Sequence, residues 1–180
     1  MAKAKIATTS LAGCFGCHMS LLDIDERILE LVELVEFDRS PLNDIKRITT
    51  PVDVGLVEGG CANEENIHTL KEFREHCKVL VSVGACAISG GVPAMRNFVP
   101  LDECFQEAYI DGPTVVNPSG EVPTVEIPLL LNKVYPLHEV VKVDYFLPGC
   151  PPSADTLWAA LTALLSGEPL ELPYPLIKYS

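Results

Sequence analysis

Four short apolar runs organise this sequence: Lys5 to Thr9, Val52 to Val57, Val79 to Val83 and Val141 to Leu147. Each is followed within a few residues by a glycine and a cysteine. Runs of this length, closed by turn residues, read as strands. Val79 to Val83 is apolar at nearly every position, as expected of a strand covered on both faces. Segments of helical period lie between the runs, and strand–helix alternation of this kind predicts an α/β fold around a parallel sheet.

Ser20 is expected to open a helix with Asp23 as its capping-box partner and an acidic first turn of Asp23, Asp25 and Glu26. Leu21, Ile24, Ile28, Leu31 and Val35 then share one helical face, and Val35 to Phe37 can switch to a second strand. Asn63 caps a second helix bearing Ile67, Leu70, Phe73 and Cys77. Ser153 caps a third with Leu157, Leu161, Leu164 and Leu165, ended by Gly167 and Pro169. The best match is a flavodoxin-like doubly wound parallel sheet, whose sites lie outside the carboxyl ends of the strands at a switch point.

The stretch from Gly90 to Pro136 holds seven prolines and reads as an irregular, Pro-rich excursion with one or two short helices. Residues 1–180 are expected to form a single domain, with an extended tail from about 170 to 180 that lies across a partner or on its own domain. Hydrophobic residues make up 48% of the chain, enough to leave apolar surface for a partner. The net charge of −12 argues against nucleic acid and against an anionic membrane surface, and no run reaches the length of a membrane span. Leu11-Ala12-Gly13-Cys14 resembles a lipoprotein cleavage box behind the basic start Met1 to Lys5, but Ile6 to Ser10 is too short and polar for a signal segment. The expected location is the cytoplasm, where a set of cysteines points to metal or redox chemistry before disulfides.

Four cysteines fall at strand ends that a parallel sheet would bring to one rim: Cys14, Cys17, Cys86 and Cys150. Cys14-Phe15-Gly16-Cys17-His18 alone has several readings. A c-type haem site leaves Cys86 and Cys150 unexplained. A thioredoxin-like dithiol using Cys14 and Cys17 suits a thiol pair at a helix start, but again leaves two glycine-flanked cysteines idle. Structural zinc usually uses two close pairs. One 4Fe–4S cluster accounts for all four thiols. The flanking glycines allow close backbone approach, and Pro151 and Pro152 stiffen the loop after Cys150. Cys61, Glu58 and His18 are candidates for the surroundings of such a site: Cys61 as a ligand, neighbour or spare buried thiol, Glu58 as a proton relay or structural carboxylate, His18 as a cluster or interface contact or a surface residue. Cys77 and Cys104 read as small buried hydrophobes.

Taken together, Cys14-x-x-Cys17, Val57-Glu58-Gly59, Gly84-x-Cys86 with Gly90-Gly91, and Pro148-Gly149-Cys150-Pro151-Pro152 resemble the small subunit of nickel–iron hydrogenases over most of the chain, from Lys5 to about Gly167. The resemblance implies a flavodoxin-like domain in which Cys14, Cys17, Cys86 and Cys150 hold the cluster nearest a nickel–iron centre carried by a separate large subunit. The lack of a cysteine beyond Cys150 and of a twin-arginine signal is similar to the soluble NAD-reducing (bidirectional) type, as is the run Cys17-His18-Met19-Ser20-Leu21-Leu22-Asp23. The resemblance further implies an electron-transfer subunit with one cluster and no hydrogen activity alone. It would work between the large subunit and an iron–sulfur/flavin diaphorase module, with flavin and NAD on those partners. The cluster subunit of complex I is a related alternative. That family has adjacent cysteines at the first position, where this chain has a two-residue gap.

Overall fold

The structure is a computed structural model, and it describes residues 3–177. Met1, Ala2 and the last three residues of the tail, Tyr179 among them, lie outside the described residues. Three seven-residue strands form the centre: β1 (Ala4–Ser10), then β3 (Val52–Glu58) and β5 (Cys77–Val83). They are flanked by two short edge strands, β2 (Val35–Phe37) and β7 (Tyr145–Leu147). All pair in parallel in the order β2-β1-β3-β5-β7. Counting only the strands of this sheet, the order is 2-1-3-4-5, the flavodoxin-like arrangement.

Helices cover both faces. On one lie α1 (Gly16–Leu22), α2 (Arg27–Leu34) and α6 (Ala154–Ser166); their Leu21, Leu31, Leu157 and Leu161, with Ile24 from the turn between α1 and α2, pack on Ile6, Val54, Leu56, Val81 and Val83. On the other lie α3 (Glu64–His76) and α4 (Gly84–Ser89), where Leu70, Phe73 and Ala87 pack on Ala7, Val57 and Leu80. The central strands are therefore apolar on both sides, which is why their sequence shows no clean alternation. Asn63 and Ser153 cap their helices as expected, accepting from the Asn66 and Thr156 amides.

Several elements differ from expectation. The helix expected from Ser20 is two helices, α1 and α2, separated at Asp25, whose φ of 54° leaves the helical region. Asp23 follows the end of α1, donating its backbone N–H to the Met19 carbonyl, and is not a capping-box partner. Ser20 sits inside α1 and donates its hydroxyl to the Pro152 carbonyl (2.5 Å). The apolar face survives the break because Leu21, Ile24 and Leu31 all stay buried. Cys77 closes α3, its backbone N–H donating to the Phe73 carbonyl, and opens β5 in the same residue. The strand expected from Val141 pairs only from Tyr145, because Asp144 binds Leu80 through both its backbone N–H (2.9 Å) and its carboxylate (2.8 Å).

The Pro-rich excursion contains a 3₁₀ helix (Val92–Phe98), α5 (Leu101–Gln106) running into a π turn (Glu107–Asp111), and the strand β6 (Leu130–Tyr135). β6 pairs antiparallel with β4 (Cys61–Asn63), forming a small second sheet that no sequence pattern announces. In the described part of the tail, α7 (Tyr174–Ile177) is tied to α6 by the Thr156 hydroxyl donating to the Leu176 carbonyl. This part of the tail packs on its own chain.

Two carboxylates brace the loops. Asp38 accepts from the Arg39 and Thr49 amides and the Thr49 and Thr50 hydroxyls. Asp144 accepts from Arg74 at 2.6 Å as well as from the Leu80 amide. Burial works against ionisation of both, but these hydrogen bonds outweigh it and hold both carboxyls below their usual range. A carboxyl lowered on folding adds stability that is complete above its unfolded value of about 4 and is lost as pH falls through the lowered folded value. The thermal midpoint is expected to hold from about pH 7 to 5 and to drop below about pH 4. The double variant Asp38→Asn with Asp144→Asn should start lower and fall less over that interval.

Candidate metal centre

The carboxyl ends of β1, β3, β5 and β7 meet at one rim. After β1 the chain makes an antiparallel bridge with the turn after β3: the Ala12 amide donates to the Gly60 carbonyl (2.9 Å), and Gly60 donates back to Ala12 (2.8 Å). Gly59, at φ 82°, permits this approach, because a Cβ there would stand 2.7 Å from the Leu11 carbonyl carbon. This bridge sets Cys14 beyond the sheet edge, and Phe15, at φ 66°, turns the chain into α1 with Cys17 in its first turn. Cys86 lies in α4 directly after β5, and Cys150 in the turn between β7 and α6.

These loops are fastened to one another. The Ala85 amide donates to the Gly149 carbonyl (2.8 Å), joining the Cys86 and Cys150 turns. The Ser20 hydroxyl joins α1 to the Cys150 turn through Pro152. Gly84 faces the Cys17 sulfur so closely that a Cβ would run into it. A Cβ on Gly91 would stand 3.0 Å from the Cys86 sulfur, and one on Gly16 3.1 Å from that of Cys14. Cys14 and Cys150 are exposed, and Cys17 and Cys86 half-buried. All four sequence-predicted thiols thus come to the same rim, and those of Cys14, Cys17 and Cys86 lie against glycines.

The electrostatics agree. Burial pushes the Cys17 thiol far above its usual range, and Glu58, Cys86 and Cys14 push it further. Cys86 is raised by burial and by its neighbours Cys150, Cys14 and Glu58, against the opposing Val92 amide. Neither Cys17 nor Cys86 is thereby activated as a nucleophile. Crowded thiols that resist ionisation alone are well suited to a cationic metal group, which supplies the charge that keeps them as thiolates. Thiolates are also the soft ligands that iron–sulfur groups take. The residues present therefore fit a cluster.

Beneath Cys17 runs a chain of buried polar groups. The Cys17 amide donates to Glu58 Oε2 (2.9 Å). His18 Nδ1 donates to Glu58 Oε1 (2.7 Å), while His18 Nε2 meets the Thr8 hydroxyl (2.9 Å), which meets Ser40 (2.7 Å). The side chains of His18 and Glu58 are each only 4% exposed, and the Phe15 ring stacks on the imidazole at 4.6 Å. Burial opposes the Glu58 charge, but His18, Ser10 and Cys17 together hold the carboxyl below its usual range. A cavity of about 10 Å³ lies against Cys17, His18 and Glu58, about the room of one water.

His18 is thus an interior residue and not a surface one. Cys61 is fully buried among Val57, Leu70 and Phe73, and burial alone pushes its thiol up to about 12. Its side chain belongs to the second core and not to the rim. Cys77 is likewise a core thiol, and Cys104 is half-buried in α5. Sequence reasoning missed Thr8, Ser40 and the Ser20–Pro152 contact. Thr8 sits in a strand run, where a threonine carries no signal of a functional partner, and Ser40 comes near it only through the fold.

Alanine at Gly84 is expected to disturb this rim. The residue would have to hold φ 82° at a penalty of about 1–2 kcal/mol and would displace Cys17. Denaturant unfolding of the Gly84→Ala variant should show a lowered midpoint, and metal analysis a lowered metal content.

Comparison with known proteins agrees with this geometry. Residues 14–164 match the family model described as NADH ubiquinone oxidoreductase, 20 Kd subunit. The chain is 51% identical to the delta subunit of the NAD-reducing hydrogenase HoxS of Cupriavidus necator, over 98% of this chain and 86% of that subunit. It is 44% identical to a subunit of the F420-non-reducing hydrogenase of Methanothermobacter thermautotrophicus, over 95% of this chain and 56% of that subunit's length. A chain in the crystal structure of an NAD+-reducing NiFe-hydrogenase in the H2-reduced state superposes with a TM-score of 0.95 at 49% identity, covering 99% of this chain and all of that one. A NiFeSe-hydrogenase chain from Dm. baculatum shares the fold alone (TM-score 0.56, 19% identity, 98% of this chain and 69% of that chain). No helix among the described residues is long and apolar enough to cross a membrane. With its strand-end cysteines, its sheet order and these relatives in view, the chain belongs to the NADH:ubiquinone oxidoreductase 20 kDa subunit family and, within it, to the small subunits of nickel–iron hydrogenases of the NAD-reducing type.

Proposed function

We propose that this chain holds one 4Fe–4S cluster on Cys14, Cys17, Cys86 and Cys150. Through it, the chain passes electrons between the nickel–iron centre of a partner large subunit and an iron–sulfur/flavin diaphorase module that reduces NAD, in the cytoplasm. The observation that supports this most is the meeting of four thiols from three strand ends at one rim, with glycines against the sulfurs of Cys14, Cys17 and Cys86. When bound, such a cluster supplies one-electron storage and release.

The chain's own residues position and insulate. The Ala12–Gly60 bridge and the Ala85–Gly149 hydrogen bond fix the spacing of the cysteine loops. Glu58 holds the Cys17 amide, and His18 holds Glu58, so the ligand loop rests on a fully paired buried network. Leu21, Val83 and Leu157 give the inner side an apolar lining, while exposed Cys14 and Cys150 leave the outer side for a partner. Flavin and NAD are assigned to the partner subunits.

The test is hydrogen-dependent reduction. In the assembled enzyme, hydrogen should bleach the visible absorbance of this chain's cluster, and the isolated chain should respond to dithionite but not to hydrogen. An isolated chain that reduces protein disulfides and carries no metal would replace this reading with the dithiol one.

A further inference from the structure

The buried polar chain beneath Cys17 has a direction, and the direction fixes its charge. The Leu42 amide donates to the Ser40 hydroxyl (3.1 Å), so the hydrogen of that hydroxyl is left to go to Thr8. Thr8 then donates to His18 Nε2, and His18 Nδ1–H donates to Glu58 Oε1. In this order every hydrogen along the chain has an acceptor. The reverse order, with both ring nitrogens donating, leaves the buried Ser40 hydrogen without one among the described residues, and buried donors are rarely left so. His18 is therefore a relay of hydrogen bonds and not a cation, and it leaves the charge of Glu58 in place.

Glu58 itself only accepts. Oε2 takes the Cys17 amide, Oε1 takes His18, and the Ser10 hydroxyl adds a third donor, the pattern of an ionised carboxylate. Among the described residues no Lys or Arg forms an ion pair with it. Its side chain is 4% exposed, so salt screens it little. This anion disfavours negative charge on both Cys17 and Cys86. It also occupies the Cys17 amide, which stands in the first turn of α1 and has no partner within the helix. Net charge and hydrogen bonds to the sulfurs set the potential of an iron–sulfur group, and here both act in one direction.

We propose that Glu58 keeps the reduction potential of the cluster low, by its fixed charge and by withholding the Cys17 amide from the sulfurs. Reduction adds one electron, moves no proton and breaks no bond of this chain, and a neighbouring anion opposes the added charge. The proposal rests on the electron-carrier reading above. It gives Glu58 a role that fastening the loop does not require, because a glutamine oxygen would hold the Cys17 amide as well.

The test is a reductive titration of the full chain, purified without oxygen, with its visible absorbance read against a dye of known potential. Glu58→Gln keeps an acceptor for the Cys17 amide and removes the charge. It should shift the equilibrium toward the reduced form by about tenfold or more, a rise of about 59 mV or more for a one-electron couple, with iron content as in the wild type. Glu58→Asp restores the charge and should titrate much closer to the wild type. Glu58→Ser removes the charge by a second route and should shift as Glu58→Gln does. Asp53→Asn removes a hydrogen-bonded carboxylate near the other end of β3, about 16 Å away at the strand rise, and should leave the potential unchanged. The proposal is overturned if a neutral variant that holds iron titrates with the wild type, or if Glu58→Asp or Asp53→Asn moves as far as Glu58→Gln. It is overturned as well if both neutral variants lose the fold or the iron, since Glu58 would then serve to hold the site and not to tune it. Iron content of the wild type judges the electron-carrier reading, and the shift between variants judges Glu58, so the two fail separately.

Discussion

Serine in place of Cys86 or Cys150 is expected to remove most of the iron from the anaerobically purified chain, from about four irons per chain to a small fraction of that. The expectation follows from how these thiols are held. Cys86 is carried by α4 immediately after β5, with Gly91 against its sulfur, and Cys150 by a turn fastened to α4 through Gly149. Neither is a small buried hydrophobe whose loss would be absorbed by repacking. A serine oxygen is harder and far less acidic than a thiol, so it replaces the ligand in shape and not in chemistry. Because Cys150 is exposed, its replacement should leave the unfolding midpoint of the metal-free chain almost unchanged. The same substitution at Cys61, inside the second core, should do the reverse: iron retained, stability reduced by about 1–3 kcal/mol for an unpaired buried hydroxyl. Full iron content in either rim variant would mean that the ligand set is wrong.

Leucine at His18 is expected to destabilise the chain by about 1–3 kcal/mol, because it leaves a buried carboxylate without the imidazole hydrogen bond that it accepts. The imidazole is held between Phe15, Glu58 and Thr8. Glu58 keeps the Cys17 amide and the Ser10 hydroxyl, which sets the effect at the lower end of that interval. The double variant His18→Leu with Glu58→Leu removes both members of the pair and should recover part of the loss, since replacing a whole buried pair is far milder than breaking one. Urea unfolding of the three variants measures the coupling. Additive effects would mean that His18 and Glu58 act independently, against the 2.7 Å contact between them.

The sheet was legible because its signal is local. Val79–Val83 reads as a buried strand, Asn63 and Ser153 as caps, and the glycine–cysteine turns as strand ends, each from its own residues. The break in the first helix was not, because Leu21, Ile24, Ile28 and Leu31 keep helical spacing across it. Periodicity measures which face is buried and is blind to a single left-handed residue such as Asp25. β4 and β6 escaped notice for a different reason. They are short, lie far apart in the chain with α3, β5 and α4 between them, and β6 sits inside a stretch whose prolines argue against strands. At the site, the candidate ligand thiols announced themselves by residue type, whereas the pairing of His18 with Glu58, Thr8 and Ser40 is a product of tertiary packing and has no sequence pattern. His18 reads from the sequence as a cluster contact, an interface contact or a surface residue at a helix start, and it is an interior residue because α1 begins at Gly16 and turns that position onto β1 and β3.

The central claim is the cluster, and the most direct measurement is iron and acid-labile sulfide on the full chain purified without oxygen, with its visible absorbance followed on reduction. The account predicts about four irons and four sulfides per chain and absorbance that bleaches with dithionite. A metal-free chain, or one holding zinc with no visible absorbance, would contradict it.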